Sequence, residues 1–246
     1  MKIVFLDAAT VGKDVSLDGL KQFGETVLYD ATGQSEAALR MSDCDIVITN
    51  KVHVFKEEID AARNLKLICV AATGVNCVDV EYAASKGIPV KNVPAYSTES
   101  VAQVCFMHIL NLVGHGMYFN EVCHDGRYSR SGMFSDVLNP FWELKGKKMG
   151  IIGMGNIGSR VAELAAAFGM SVAYFSTSGT GHCKDYPCVT MEELLRESDV
   201  LSVNCPLSPR TKDLITYEDL KRMKPGAYIV NCSRGGIINE NDLVRA

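Results

Sequence analysis

Short apolar runs recur along the first hundred residues, separated by polar or helix-forming stretches. The runs Lys2 to Leu6, Thr26 to Tyr29, Asp45 to Thr49, Leu67 to Ala71 and Pro89 to Val93 are rich in β-branched and aliphatic residues, as strands buried on both faces are. Between them, Ser35 to Met41 and Lys56 to Arg63 carry helix formers. Strand and helix in alternation predict a parallel sheet with helices on both faces. These residues are expected to form a small α/β domain of their own.

Ser97 to Asn120 then reads as one long helix. Ser97 or Thr98 can cap it, and Val101, Val104, Cys105, His108, Leu112 and His115 lie on or near one face. Asp125 to Asn139 is rich in Gly, Ser and Asp without a period, which predicts a surface connection. A second alternation follows. Met149 to Ile152 is an apolar run; a glycine-rich turn leads into a helix with Val161, Leu164, Ala165 and Phe168 at i, i+3, i+4 and i+7; Gly169 is its stop; Ser171 to Phe175 is the next strand. Val200 to Asn204 and Ala227 to Cys232 read as further strands, Met191 to Glu197 and Glu240 to Ala246 as helices. The expected fold is α/β, with two doubly wound parallel-sheet domains at residues 1–98 and 99–246.

Composition narrows the class. An apolar fraction of 47%, a charged fraction of 22% and a net charge of -4 describe an ordinary globular protein, and no basic stripe invites nucleic acid. No run approaches the roughly 18 apolar residues of a membrane span. Met1 to Asp7 is too short for the apolar part of an export signal, so a cytoplasmic protein is expected. The nine cysteines are scattered without a C-x-x-C pair, and Cys69, Cys105, Cys205 and Cys232 lie inside apolar segments, which favours free thiols. His182, Cys183 and Cys188 are the only candidates for a metal cluster and fall short of a zinc pattern, so no metal is expected.

The candidate chemistry starts at Gly153, Gly155 and Gly158, a G-x-G-x-x-G that follows a strand and opens a helix. The first glycine allows the tight turn, the second lets backbone approach a pyrophosphate, and the third lets helix pack closely on strand. Free N–H groups and the positive end of the helix dipole then face the diphosphate of a dinucleotide. An Asp or Glu roughly 20 residues on would hold the adenosine ribose. Ser176 stands there instead, followed by Thr177 and Ser178. Losing the carboxylate removes repulsion against a 2'-phosphate, so the cofactor is expected to be NAD or NADP.

Five blocks in order then carry a family resemblance: AATGVNCVDV from Ala71, NVPAYSTESVAQ from Asn92, ELKGKKMGIIGMGNIG from Glu143, SDVLSVNCPLSPRTKDLI from Ser198 and IVNCSRGGIINENDL from Ile229. The chain resembles the D-isomer-specific 2-hydroxyacid dehydrogenases, and within them is most similar to the glycerate dehydrogenases, also called hydroxypyruvate reductases. The resemblance implies a flavodoxin-like substrate domain followed by a Rossmann domain, a small 2-keto or 2-hydroxy acid as substrate, and a homodimer. It makes Arg234 the catalytic arginine, gripping carboxylate and carbonyl together and stabilising the developing oxyanion. Thr73, Gly74 and Val75 match the loop whose N–H groups receive the substrate carboxylate, the alternative being a plain strand-end turn; Lys51 can add a cation. Asn156 and Ile157 would lie over the diphosphate, Cys205 and Pro206 beside the adenosine, Cys232 and Ser233 along the nicotinamide, and Thr98 near the face between the domains.

In the family the acid/base histidine and its glutamate lie beyond the RGG block, and the residues printed here end at Ala246. His53, His108, His115, His124 and His182 match no catalytic position of the family. Two readings follow. One is an NAD(P)-dependent reductase of hydroxypyruvate or glyoxylate whose C-terminal part, with the general acid, lies outside this sequence. The other is a dinucleotide-sensing binding protein on the same scaffold.

Overall fold

Each apolar run becomes a parallel strand in the computed structural model, which describes residues 1–137, 139–181 and 183–246. The chain divides into two units, Met1–Tyr96 and Ser97–Ala246. In the first, strands β1 (Lys2–Phe5), β2 (Glu25–Leu28), β3 (Ile46–Thr49), β4 (Leu67–Val70) and β5 (Val90–Asn92) alternate with helices α1 (Gln34–Arg40), α2 (Lys56–Ala61) and α3 (Val80–Ser85). Two 3-10 turns that no period announced, Ala8–Val11 and Asp18–Phe23, lie between β1 and β2. The sheet order is β2-β1-β3-β4-β5, all parallel, the doubly wound order in which ligands bind between the first and third strands. Val4, Leu6, Met41, Val47 and Ile68 form its sealed core. Each such side chain contributes about 1.5–3 kcal/mol by leaving water.

The second unit opens with α4 (Thr98–Val113), α5 (Gly116–His124) and α6 (Arg127–Ser131). The single helix expected over Ser97 to Asn120 is therefore two. Gly114 ends the first, and His115 takes a left-handed φ of 50° before the chain resumes. The expected face is also shifted. Ala102, Cys105, Phe106, Ile109 and Val113 are buried, whereas Val104 and Leu112 are 42% and 40% exposed. The helix is apolar on nearly every side, so its period leaves the buried stripe undecided. The expected connection over Asp125 to Asn139 contains α6, and its Leu138 lies outside the described residues.

Next come β6 (Lys148–Ile152), α7 (Asn156–Ala167), β7 (Ser171–Phe175), α8 (Met191–Glu197), β8 (Val200–Val203), α9 (Tyr217–Leu220), β9 (Tyr228–Asn231) and α10 (Glu240–Arg245). Their sheet order is β7-β6-β8-β9, again all parallel. Gly169, at φ 77°, terminates α7 as expected. The buried side of α7 is Gly158, Val161, Ala162 and Ala165; Leu164 is half-buried and Phe168 is exposed, so the expected stripe is rotated towards the small residues. Small side chains let α7 lie close to the sheet. In both units, Leu6, Tyr29, Ala71, Val93, Asn204 and Cys232 fall just past the strands they were expected to close, where the chain begins to turn. Those turns form the carboxyl-terminal rims on which the candidate site residues stand.

Candidate functional site

The turn after β6 is built from three glycines with three different surroundings. Gly153 adopts φ 91°, and a Cβ there would sit 2.8 Å from the Cβ and backbone N of Cys205. It is the point where the ends of β6 and β8 meet. At Gly158 a Cβ would overlap the carbonyl oxygen of Gly153, so this glycine lets α7 start against the strand it follows. Nothing lies within 4 Å of a Cβ at Gly155, which is exposed and faces open space at the head of the helix. The N–H groups of Asn156 and Ile157 have no acceptor among the described residues, and no side chain caps α7. Two unpaired donors, the positive end of a 12-residue helix and an open space form an anion cradle. The cradle lies at the crevice beside β6, where the strand order reverses. These residues fit the diphosphate of a dinucleotide.

The neighbouring strand ends complete the rim. Gly153 N donates to Phe175 O at 3.0 Å, which brings Ser176 beside the glycine turn. Ser176 is buried; its hydroxyl donates to Thr180 O at 2.7 Å and lies 3.0 Å from Ser178 Oγ. No carboxylate stands on the stretch from Ser176 to Gly181. After β8, Cys205 is buried and burial raises its thiol pKa, while Pro206 is exposed and its carbonyl accepts from Thr211 Oγ1 at 2.6 Å. Glu99 accepts from Arg160 Nε at 2.9 Å, which puts Thr98 at the end of the unit where α7 begins.

Arg234 follows β9 and is exposed, with one guanidinium nitrogen on the carbonyl of Ser233 at 2.9 Å. Among the described residues no carboxylate pairs with it. Its turn is held by Asn231, whose Nδ2 donates to Arg234 O at 2.8 Å and whose Oδ1 accepts from Ser233 N and Oγ at 3.0 and 2.8 Å. Cys232 is half-buried and touches Cys105, whose thiol is pushed up to about 12 by burial. Cys105 Sγ lies 3.2 Å from Ser202 Oγ, which accepts from Asn204 Nδ2 at 2.9 Å. A buried polar chain thus links the ends of β8 and β9, and Asn204 Oδ1 is buried in it with no partner among the described residues.

The first unit carries its own rim. The N–H groups of Thr73, Gly74 and Val75, after β4, find no acceptor among the described residues. Asn92 Nδ2 donates to Thr73 O at 2.6 Å and holds the loop from β5. Lys51, after β3, is exposed and in no ion pair among the described residues. Beneath it lies Asp7, 3% exposed, which accepts from the backbone N of Asn50 and Lys51 at 2.8 and 2.7 Å.

Asp7, Asn204 and Asn231 were not singled out from sequence. Their signal was present: each is a polar residue at or just past the end of an apolar run. Of the metal candidates, Cys183 is half-buried, Cys188 is exposed and His182 lies outside the described residues. Among the described residues no three His, Cys, Asp or Glu side chains are grouped to hold a metal, and no helix is long and apolar enough to cross a membrane.

A parallel sheet with a glycine cradle at its reversal point defines a dinucleotide-binding protein of the Rossmann class. Residues 106–246 match the family described as D-isomer specific 2-hydroxyacid dehydrogenase, NAD binding domain. The whole chain is 39% identical over 252 residues to a hydroxypyruvate reductase of Blautia hydrogenotrophica, spanning 78% of that protein. It superposes on an acyclic imino acid reductase in complex with NADPH and D-Arg with a TM-score of 0.89 at 29% identity, covering 100% of this chain and 78% of that one. Its TM-score with a D-lactate dehydrogenase from Aquifex aeolicus complexed with NAD and lactic acid is 0.86 at 29% identity, covering 99% and 72%. The chain belongs to the D-isomer-specific 2-hydroxyacid dehydrogenases. It is a nicotinamide-dependent dehydrogenase of a small 2-keto or 2-hydroxy acid.

Proposed function

We propose that the protein reduces hydroxypyruvate to D-glycerate with NADH or NADPH, and accepts glyoxylate, reduced to glycolate, as a second substrate. The observation that carries this reading is the cradle at Gly153 to Gly158 on the same sheet rim as Arg234, which no carboxylate pairs with among the described residues. A bound dihydronicotinamide supplies the hydride. Asn156 and Ile157 bind its diphosphate through their backbone N–H groups, and Gly155 leaves the room for it. Cys205 and Pro206 flank the adenosine, Cys232 and Ser233 the nicotinamide, and Thr98, the first residue of α4, stands near the cofactor. Arg234 takes the substrate carboxylate and carbonyl oxygen in its planar fork, and stabilises the alkoxide as charge develops. Thr73, Gly74 and Val75 offer three N–H groups to the carboxylate and Lys51 a cation. The resemblance puts the acid that protonates the alkoxide after the RGG block.

Both dinucleotides fit this reading, because the turn after β7 carries no carboxylate to repel a 2'-phosphate. Ser176→Asp should therefore weaken NADPH binding at least tenfold, about 1.4 kcal/mol, and NADH binding far less. We further propose a cytoplasmic homodimer. Met107, Leu110, Met117, Phe134, Phe141 and Phe168 are all exposed on the second unit, and apolar surface of this extent marks an interface.

The test is oxidation of NADH and NADPH by the full-length protein with hydroxypyruvate, glyoxylate and pyruvate. Turnover fastest with hydroxypyruvate is expected. Tight dinucleotide binding with no oxo-acid-dependent turnover would instead favour the dinucleotide-sensing reading.

A further inference from the structure

The two sheets share an order but carry opposite chemistry at the point where that order reverses. In the second unit Gly153 follows β6 and the space beyond it is the proposed diphosphate cradle. In the first unit the corresponding place, between β1 and β3, holds Asp7, a buried carboxylate. It accepts from the backbone N of Asn50 at 2.8 Å, Lys51 at 2.7 Å and Val52 at 3.3 Å. A buried carboxylate is costly unless it is paired or fully hydrogen-bonded. Here three peptide N–H groups satisfy it, and no Lys or Arg pairs with it among the described residues. The second unit builds the same strand order with no acid at this place, so the topology alone does not call for one.

What Asp7 fixes is the turn Asn50–Lys51–Val52. Thr49 Oγ1 closes that turn from the other side, donating to Val52 O at 2.8 Å. Cys77 Sγ, at 3.7 Å from Asn50 O, and Val54 N, at 2.8 Å from Cys77 O, tie it to the loop after β4 that carries Thr73, Gly74 and Val75. The turn that carries Lys51 is thereby joined to that loop through its backbone, at Asn50 and Val54. The acid bonds the lysine's own backbone N–H, yet its oxygens go to the backbone and, among the described residues, the ammonium has no carboxylate partner.

We propose that Asp7 is a positioning residue for the oxo-acid: it locks the Asn50–Val52 turn so that the Lys51 ammonium, in no ion pair among the described residues, is presented to the same carboxylate as the N–H groups of Thr73, Gly74 and Val75. The proposal rests on the reading of Lys51 and Thr73–Val75 as the carboxylate site. Asp7 acts through Lys51, so its removal costs nothing further once the ammonium is gone.

Calorimetric titration of hydroxypyruvate into the full-length protein saturated with oxidised dinucleotide, where no hydride can move, tests it. Lys51→Met should raise Kd about tenfold, the worth of one charge-assisted contact, and Asp7→Asn about fivefold. The double variant should bind no more weakly than Lys51→Met alone, and all three should keep the parent dinucleotide affinity. In turnover, Asp7→Asn should raise KM and leave kcat nearly unchanged. An unchanged Kd in Asp7→Asn, or the same loss in the presence and absence of Lys51, would overturn the proposal. An unchanged Kd in Lys51→Met would instead overturn the carboxylate site on which it rests. Should Asp7→Asn fail to fold, Thr49→Val loosens the same turn from its other side and must show the same dependence on Lys51.

Discussion

Gly155 and Gly158 stand one helical turn apart and differ in what a methyl group would meet. At Gly158 it would strike the carbonyl of Gly153; at Gly155, with φ -84° and ψ -165°, it would enter open space. Gly158→Ala should therefore destabilise the second unit by about 3 kcal/mol, since backbone cannot move aside as a side chain can. Gly155→Ala should unfold at nearly the parent temperature but bind NADH roughly tenfold more weakly, because its methyl would enter the space proposed for the diphosphate. Thermal unfolding and fluorescence titration of NADH separate the two. Intact binding in Gly155→Ala would remove the cradle from the site. The glycines were legible because their spacing between a strand and a helix admits few other uses. Asn231 was not, because its role depends on three side-chain bonds, to Ser233 and to the carbonyl of Arg234, that form only when the turn is folded.

At the scale of elements, the two sheets use the same anchor. Asp45, just before β3, accepts from the backbone N of Lys2 at 2.8 Å and from Lys66 Nζ at 2.7 Å. Asp199, just before β8, accepts from the backbone N of Lys148 at 2.7 Å and from Lys224 Nζ at 2.9 Å. Each ties the start of one strand to the start of its neighbour. The Lys66 ammonium and the Lys2 N–H hold Asp45 below the ordinary carboxylate range. At Asp199 burial pushes up, but the Lys224 and Lys148 bonds together outweigh it and the net direction is also down. A carboxyl depressed in the folded state stabilises above its unfolded pKa, about 3.9, and loses that contribution as pH falls through the folded value. Asp45→Asn and Asp199→Asn should therefore lower the unfolding midpoint at pH 7, with the gap to the parent closing as pH falls below the unfolded carboxyl value. A gap independent of pH would show that the amide, not the charge, is what matters. Sequence placed Asp45 inside a strand; in the fold it precedes β3 and anchors its start.

The helix Ser97 to Asn120 teaches the same lesson. Its apolar content was legible, but neither the break at Gly114 and His115 nor the buried face was, since a helix apolar all round can turn any stripe inward. What was left outside is a surface feature of the whole molecule.

At that scale, a groove of about 520 Å³ runs between α4 and α7, lined by Phe106, Met107, Leu110, Leu164 and Phe168, and a second of about 300 Å³ continues to Phe141 and Trp142. Met117 and Phe134, 75% and 94% exposed, extend the apolar surface over α5 and the chain after α6. A second copy covering this face is the homodimer proposed above. Light scattering after gel filtration should give twice the chain mass, and Leu110→Glu with Met117→Glu should give a monomer that still binds NADH. A monomeric parent would leave this surface to another partner.

The sequence by itself determined the class of fold, the glycine cradle and the family, because strand-helix alternation, glycine spacing and five ordered blocks are local patterns that survive without coordinates. Only the tertiary structure decided which residues serve those patterns: that Asp7 rather than a glycine occupies the first reversal point, that Ser176 turns its hydroxyl into its own loop, and that α4 shows Val104, Met107, Leu110 and Leu112 to solvent. Each of these depends on which distant strand end or helix lies alongside, and residues such as Asp7 and Asn50, 43 positions apart, meet only when the sheet has formed.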